Sequence, residues 1–220
     1  MTIISLEGAS AVGKTTTAEA LCDEFSAYRV PEVNALFDTS KEDSTTWYFE
    51  RQCDRWEIAV NRERDHEFVI LDGDVLQPLW YNWIAHGLSD DRADIEEFVP
   101  LDSIYQFFRE KLQERAVGFP DRYFFLHTDT DSLRRRKNGD ETRTRRNFES
   151  HLEFATPQRH YFEQLQTQSP RRVRLVHTQS IETNCSTIRI NLPASDNRTD
   201  RYSLTILDAM YDWAEQTTLT

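Results

Sequence analysis

The sequence lacks the features that mark secreted, disulfide-bonded or membrane-spanning proteins. Its three cysteines are far apart in the chain, with no spacing typical of a disulfide framework or a metal site. No run approaches the ~20 apolar residues that a membrane-spanning helix needs. The N-terminus begins directly with an apolar run, without the charged and hydrophobic regions of a leader. We therefore expect a soluble, cytoplasmic protein with no membrane partner.

Positive charge is also scarce, because 26 lysines and arginines face 38 aspartates and glutamates, for a formal net charge of −12. A protein whose main partner is a nucleic acid is more often basic. The balance therefore argues against a nucleic-acid partner. A bound anion would need local positive charge, and such charge occurs at two places in the sequence.

Short apolar runs alternate with helical patterns along the 220 residues. The runs at 3–6, 28–30, 68–71, 123–127 and 173–176 have the length and composition of strands. Helical patterns cover 15–25, 47–61, 75–86, 101–116, 132–137, 147–166 and 204–215. This alternation predicts an α/β fold in which helices cover both faces of a parallel five-stranded sheet, in a single domain over 1–220.

Glycine is rare, yet two of the six glycines fall within one segment of eight residues, 8–15. The segment reads GASAVGKT and satisfies the phosphate-binding pattern G-x-x-x-x-G-K-[ST], known as Walker A or the P-loop. It follows a predicted strand and opens a predicted helix, whose N-terminal dipole favours an anion. The residues predicted to bind a nucleoside triphosphate are Gly8, Ala11, Val12, Gly13, Lys14, Thr15 and Thr16. Lys14 would reach the β- and γ-phosphates, and the Thr15 hydroxyl would ligate Mg²⁺.

Two acidic residues follow predicted strands, where ligands bind in sheets of this kind. Asp72 ends the third strand and could hold the magnesium shell or orient an attacking hydroxyl. Glu32 follows the second strand and could take a proton from an acceptor hydroxyl or anchor the acceptor. The sequence leaves open which of the two is the base. Asp74 is predicted to be the N-cap of the next helix.

The largest concentration of positive charge is an arginine-rich segment at about 134–147. Phosphoryl transfer depends on electrostatic stabilisation, so a lid of this composition could close over the phosphates. Arg136, Arg143 and Arg145 are the candidates for phosphate contact. The alternatives are a solvated basic face or a nucleic-acid patch.

Aromatic and polar side chains between the second and third strands form a candidate acceptor pocket. Phe49 could stack on a flat ring, while Arg51, Gln52 and Arg55 could supply hydrogen bonds or a phosphate contact. Core packing explains the aromatic residues of this segment equally well. The tryptophans and tyrosine at 80–83 fit a core or a subunit interface.

Together these residues resemble the P-loop kinase superfamily, and especially its thymidylate kinase and deoxynucleoside kinase branch. The resemblance covers most of 1–178 and implies a three-layer P-loop NTPase fold, ATP and Mg²⁺ as cofactors, and the arginine-rich lid. It also implies that Glu32 is the base for the acceptor hydroxyl. One departure is that these families place arginine directly after the third-strand acid, where this chain has Gly73. Residues 179–220 form a C-terminal extension beyond the resemblance, with 192–201 as an irregular loop.

The expected function is transfer of the γ-phosphoryl group of ATP to a nucleoside or nucleotide acceptor. Gly73 breaks the usual nucleotide pattern, so a kinase of another hydroxylated small molecule, such as an antibiotic or a metabolite, is the alternative. A nucleotide-binding regulatory ATPase is a third possibility, although the guanine-specifying N-K-x-D sequence of GTPases is absent. Homodimerisation through the helix around 80–84 is expected by analogy with relatives.

Overall fold

The computed structural model describes residues 1–88, 99–139, 148–193 and 199–219. Its centre is a sheet of five parallel strands in the order β2-β3-β1-β4-β5. The strands are β1 (Thr2–Glu7), β2 (Ala27–Val30), β3 (Phe68–Asp72), β4 (Arg122–His127) and β5 (Val173–His177). Each predicted strand is present within one or two residues of its predicted bounds, which confirms the α/β fold class.

Helices connect the strands and cover the sheet. They are α1 (Lys14–Glu24), α2 (Val33–Leu36), α3 (Trp47–Arg62), α4 (Gln77–Gly87), α5 (Leu101–Gln113), α6 (Thr130–Asn138), α7 (Phe148–Glu153), α8 (Ala155–Gln168), α9 (Ile181–Ile190) and α10 (Leu204–Gln216). A short 3₁₀ turn, Thr39–Lys41, lies between α2 and α3.

The two faces of the sheet build two separate hydrophobic cores, because successive side chains of a strand point to opposite faces. Val69 and Leu71 of β3 belong to the core formed with α3, α4, α5, α8 and α10. Phe68 and Ile70 of the same strand belong to the core formed with α1, α6 and α9. Strand β3 is therefore buried on both sides, as the continuous apolar run at 68–71 predicts.

The break between α7 and α8 and the start of α4 differ from the predictions. The single helix predicted over 147–166 is two helices, α7 and α8, which meet at Phe154. The helix predicted from residue 75 begins at Gln77 with Pro78 in its first turn, and its N-cap is Leu76. Asp74 is therefore not the N-cap, because its carboxyl is buried and accepts a hydrogen bond from the Tyr123 hydroxyl at 3.0 Å.

The segment predicted as an extension contributes to both cores. Helix α9, which the sequence analysis did not predict, places Cys185 and Ile188 beside α1. Helix α10 contributes Leu207 and Met210 to the opposite core. Ahead of it, the Arg201 guanidinium donates to the carboxylates of Glu63 and Asp121. Of the predicted loop at 192–201, residues 194–198 lie outside the described part.

The apolar helix α4 is part of the protein interior. Trp80, Trp83 and Ile84 are buried, and the Trp83 indole donates to the Ala214 carbonyl of α10 at 3.1 Å. These side chains are therefore occupied within the chain and cannot form a subunit interface, and dimerisation itself stays a prediction. Among the described residues, no helix is both long and apolar enough to cross a membrane.

Candidate active site

The P-loop connects β1 to α1 and folds around a lysine. Gly8 has φ 128°, and a Cβ atom there would lie 2.1 Å from the Leu126 carbonyl oxygen, so only glycine fits. Gly13 has φ 105° and directly precedes α1. The Lys14 ammonium donates to the Gly8 carbonyl at 2.7 Å and is 3.4 Å from the Ala9 carbonyl. The loop thus gathers a cation and a helix N-terminus at one point, as an anion site requires.

The remaining predicted nucleotide ligands lie on the same turn. Ala11 has a positive φ of 66°, which shows how tightly the loop turns. The Val12 side chain is buried beneath the loop. Thr15 is partly buried in the first turn of α1, and Thr16 beside it is exposed. The backbone therefore bends sharply between β1 and α1, and Thr15 and Thr16 lie in the first turn of α1.

One arginine of the predicted lid reaches the P-loop. The Arg136 guanidinium, on α6, donates to the Val12 carbonyl at 2.8 Å and to the Thr178 hydroxyl at 3.0 Å. Arg134 instead pairs with Glu149 on the protein surface. Arg143 and Arg145 lie outside the described residues. The structure thus joins one of the three candidate arginines to the nucleotide loop.

Asp72 ends β3 beside the P-loop and is 2% exposed. Its Oδ2 atom is 3.8 Å from the Arg29 guanidinium. Its Oδ1 atom is buried and has no hydrogen-bond partner among the described residues. A buried carboxylate oxygen without a partner is costly. A divalent cation or its water shell would satisfy this oxygen, so Asp72 and Thr15 fit a magnesium site.

A second buried acid, Glu7, was not predicted as a functional residue. Its carboxylate accepts hydrogen bonds from the Asp74 backbone N–H and, at 3.3 Å, from the Gln158 side-chain amide. Burial and, to a smaller extent, the nearby Asp74 carboxyl raise the pKa of Glu7 to about 8, against the opposing effect of Lys14. Burial also raises the pKa of Asp74, to about 6. Two acids this close titrate as a pair, and with these pKa values the pair holds about one proton near neutral pH.

Glu32 precedes α2 as its N-cap residue, and its side chain is exposed. Its Oε1 atom would lie 3.6 Å from a Cβ atom placed on Gly73, so the two residues are neighbours in space. Gly73 has φ 85°, a conformation that side chains rarely adopt. The residue that departs from the kinase pattern thus lies beside the predicted base and has a backbone suited to glycine.

Arg55 has a different place from the predicted one. It is 1% exposed, and its guanidinium donates to the backbone carbonyls of Pro31, Asp72 and Gly73 at 2.8–2.9 Å. Gln52 accepts a further hydrogen bond from it at 2.6 Å. Arg55 therefore ties the ends of β2 and β3 together from below the site. It takes no part in lining the cavity.

Arg51 is directed elsewhere as well. Its guanidinium lies 5.5 Å from the ring centroids of Phe37 and Trp47, and its Nε is 2.7 Å from Asp54. A phosphate contact from Arg51 or Arg55 stays a prediction of the sequence analysis.

A cavity of about 1080 Å³ extends from the P-loop across the carboxyl edge of the sheet. At its donor end it is lined by Gly8, Ala9, Ser10 and Lys14. Aromatic residues form its walls, namely Tyr48, Phe49, Trp80, Tyr81 and Phe154. Polar residues complete the lining, namely Glu32, Asn34, Glu42, Asp43, Gln77, Asn82, His151 and Gln158. Of the residues predicted to bind the acceptor, Glu32 and Phe49 line this cavity.

The sequence analysis missed the part of the cavity contributed by α7 and α8. Burial, together with Lys14, lowers the pKa of His151, so its imidazole is neutral near pH 7. Gln158 links α8 to Glu7. Neither residue lies after a strand, which is where the sequence analysis looked for ligands. The only available signal was the polar residues on an otherwise amphipathic helical segment.

The fold, with its five-stranded parallel sheet, is one that solved kinase structures share. Thymidylate kinase from Candida albicans is similar, with a TM-score of 0.57 and 17% identity, over 91% of this chain and 96% of that chain. Deoxyadenosine kinase from M. mycoides with bound dATP has a TM-score of 0.54 and 14% identity, over 86% of this chain and 97% of that chain. At these identities the likeness establishes the fold. No family model and no curated protein matches the sequence.

Proposed function

We propose that this chain is an ATP-dependent kinase that phosphorylates a hydroxyl group of a nucleoside-sized acceptor. The observation that carries the proposal is the continuous cavity that joins the P-loop to Glu32 and an aromatic chamber. A protein that merely binds and hydrolyses a nucleotide needs no second chamber beside the phosphate loop. The kinases that share the fold support a nucleoside or nucleotide as the acceptor. The dispersed cysteines and the use of ATP fit a cytoplasmic enzyme.

Binding of the donor would use the loop backbone and Lys14. The backbone N–H groups and the Lys14 ammonium would hold the β- and γ-phosphates. The Thr15 hydroxyl and the unpartnered Oδ1 of Asp72 would hold magnesium, which neutralises phosphate charge when bound. Arg136 would keep the P-loop in place through its hydrogen bond to Val12. Contacts of Arg143 and Arg145 to the phosphates remain part of the proposal on sequence grounds alone.

Glu32 would act as the general base. Its carboxylate lines the cavity, is exposed, and has no ion-pair partner among residues 1–88, 99–139, 148–193 and 199–219. It would accept the proton of the acceptor hydroxyl. As the hydroxyl oxygen bonds to the γ-phosphorus, the bond from that phosphorus to the oxygen bridging to the β-phosphate breaks, and ADP is released. Asp72 is nearly inaccessible and therefore suits the metal shell better than proton transfer.

The direct test is ADP release measured with Mg·ATP and each of thymidine, deoxyadenosine and their 5′-monophosphates. Mass spectrometry of the acceptor would then show the gain of one phosphoryl group. The proposal expects acceptor-dependent ADP release with at least one compound of this size class. Tight ATP binding with slow hydrolysis that no hydroxylated acceptor accelerates would instead support a regulatory ATPase.

A kinase of another hydroxylated small molecule is the second candidate. Gly73 favours it, since the arginine usual at this position is missing and neither Arg51 nor Arg55 lines the cavity in its place. Including non-nucleoside alcohols in the acceptor panel separates the two candidates.

A further inference from the structure

Part of the cavity lining outside the P-loop is acidic. Glu42 and Asp43 lie in the segment between the 3₁₀ turn Thr39–Lys41 and α3, and both line the cavity. Both side chains are exposed, and no lysine or arginine within the described ranges forms an ion pair with either. Glu32 adds a third carboxylate on the path to the P-loop. Three carboxylates thus line one cavity, and none of them forms an ion pair within the described residues.

The positive groups near the cavity do not balance this charge. The Lys14 ammonium is held at the opposite end by the P-loop carbonyls. The pKa of His151 is lowered by burial, so this residue adds no charge near neutral pH. Arg55 is enclosed beneath the sheet edge, and Arg51 faces Asp54. A phosphate on the acceptor would therefore meet like charges at this end.

The walls between the two ends are aromatic. Tyr48 and Tyr81 lie on opposite helices of the cavity, α3 and α4, with Phe154 beside Tyr81 at a ring-centroid distance of 5.1 Å. Trp80 also lines the cavity, is 6% exposed, and its indole N–H has no hydrogen-bond partner among the described residues. Such a buried donor is satisfied when a ligand oxygen reaches it. Aromatic faces beside carboxylates are also the surroundings that organic cations prefer.

We propose that the acceptor is an alcohol that carries a protonated amine and no phosphate, with the amine bound by Glu42 and Asp43. This assignment rests on the proposed kinase function, since it names the acceptor class of the same cavity. The hydroxyl group would then lie toward Glu32 and the γ-phosphate, while the ring or chain between hydroxyl and amine packs against the aromatic walls. Aminonucleosides and amino sugars are compounds of this class.

The test uses acceptors in matched pairs. Each aminonucleoside or amino sugar is compared with its N-acetyl derivative, which keeps the shape and loses the charge, and nucleoside 5′-monophosphates form a third group. We expect kcat/KM for the amine to exceed that for its N-acetyl partner at least tenfold, with the monophosphates lowest. Binding of each compound is measured separately by calorimetry in the presence of Mg·ADP, so that recognition is scored even without turnover.

The variant Glu42→Gln/Asp43→Asn isolates the recognition step. We expect it to lower the preference for the amine over the N-acetyl partner about tenfold, while the affinity for ATP stays unchanged. The control is Glu57→Gln/Asp65→Asn, which removes two exposed carboxylates that do not line the cavity. The charge reversal Glu42→Lys/Asp43→Lys should raise kcat/KM for the monophosphates at least tenfold.

The outcomes separate this inference from the kinase assignment. Phosphorylation of monophosphates in preference to amines by the unmodified protein would overturn the inference and leave the kinase function standing. Equal use of amines and their N-acetyl partners, unchanged in Glu42→Gln/Asp43→Asn, would overturn it as well. Amine binding that depends on these two carboxylates, without transfer to any acceptor, would keep the ligand class and refute the kinase function.

Discussion

The two ends of the cavity are built in different ways. The donor end is one continuous stretch, 8–15, in which backbone groups and a single lysine make the contacts. The acceptor end gathers side chains from α2, the 42–45 segment, α3, α4, α7 and α8. A triphosphate is the same in every kinase, so its site can be a fixed backbone shape. An acceptor varies, and side chains from many segments can change without disturbing that shape.

This difference is consistent with a chain that is 14–17% identical to two kinases with its fold and still carries the complete P-loop pattern. It also means that substitutions at the two ends should have separable effects. Changes at the donor end should abolish turnover with every acceptor. Changes at the acceptor end should alter which acceptor is used.

The largest effect is expected from Lys14→Ala. Loss of the ammonium removes charge stabilisation of the transferring phosphoryl group, so we expect kcat to fall about a thousandfold or more with all acceptors. Steady-state ADP release measures this, and thermal unfolding should remain cooperative. Lys41→Ala, at an exposed lysine outside the cavity, is the matched control. A normal rate in Lys14→Ala would remove the P-loop from the mechanism.

Glu32→Gln should come next in size. The amide cannot accept the acceptor's proton, so we expect kcat to fall by about a hundredfold or more. The affinity for ATP, measured by calorimetry, should change little, because Glu32 belongs to the acceptor side. Equal losses in ATP affinity and in rate would show that the residue supports the donor end instead.

The Glu7–Asp74 pair, which lies beneath the junction of the two ends, predicts a pH dependence of stability. Because the pKa of Glu7 is raised to about 8 in the folded state, the contribution of Glu7 to the free energy of unfolding is largest at low pH. This contribution is lost as pH rises toward 8. Asp74, with a pKa of about 6, adds a second loss of stability at lower pH. One pKa unit corresponds to about 1.4 kcal/mol, so the fall between pH 5 and pH 8 should be on the order of a few kcal/mol.

Urea unfolding across this pH range measures the effect, and Glu7→Gln should reduce the slope because its amide does not titrate. Glu57→Gln, at an exposed glutamate, should leave the slope unchanged. The same slope in Glu7→Gln as in the unmodified protein would contradict the raised pKa.

The smallest effect is expected from Gly73→Ala. At φ 85° an alanine is strained, which should lower the free energy of unfolding by about 1–2 kcal/mol. Gly139→Ala is the control, since Gly139 has φ −84° and a Cβ atom there would make ordinary contacts at 3.5 Å. Equal stabilities of the two variants in urea unfolding would show that glycine is not required at position 73.

The fold was predictable because its signals are local. Each strand is a short, mostly apolar run, the central strands β1, β3 and β4 are almost fully buried, and the P-loop is a contiguous pattern. Helix α9 escaped prediction because it is short and rich in polar residues, and its start depends on a single cap, Ser180, which accepts from the Thr183 N–H. The break at Phe154 has a local cause that the sequence analysis did not use, since Pro157 has no N–H and its ring would clash with the carbonyl of residue 153 in a continuous helix.

The acceptor end was predictable only in part, because the residues that line it are far apart in the sequence. Glu32 and Phe49 were found through their places near strand ends and in an aromatic segment. His151 and Gln158 reach the site from helices more than a hundred residues beyond Glu7, and no local pattern marks them. The sequence analysis could not foresee the contacts of Arg55, because a sequence does not distinguish a buried arginine that donates to backbone carbonyls from one that binds phosphate.

The position of α10 has a consequence for how the protein reaches its folded state. This helix covers Trp83 and Tyr161, yet it follows all five strands in the chain. During synthesis the sheet can therefore assemble while one of its two cores is still open to water. That interval exposes aromatic surface, so nascent chains stalled before Leu204 should be bound by chaperones, and completed chains should escape them.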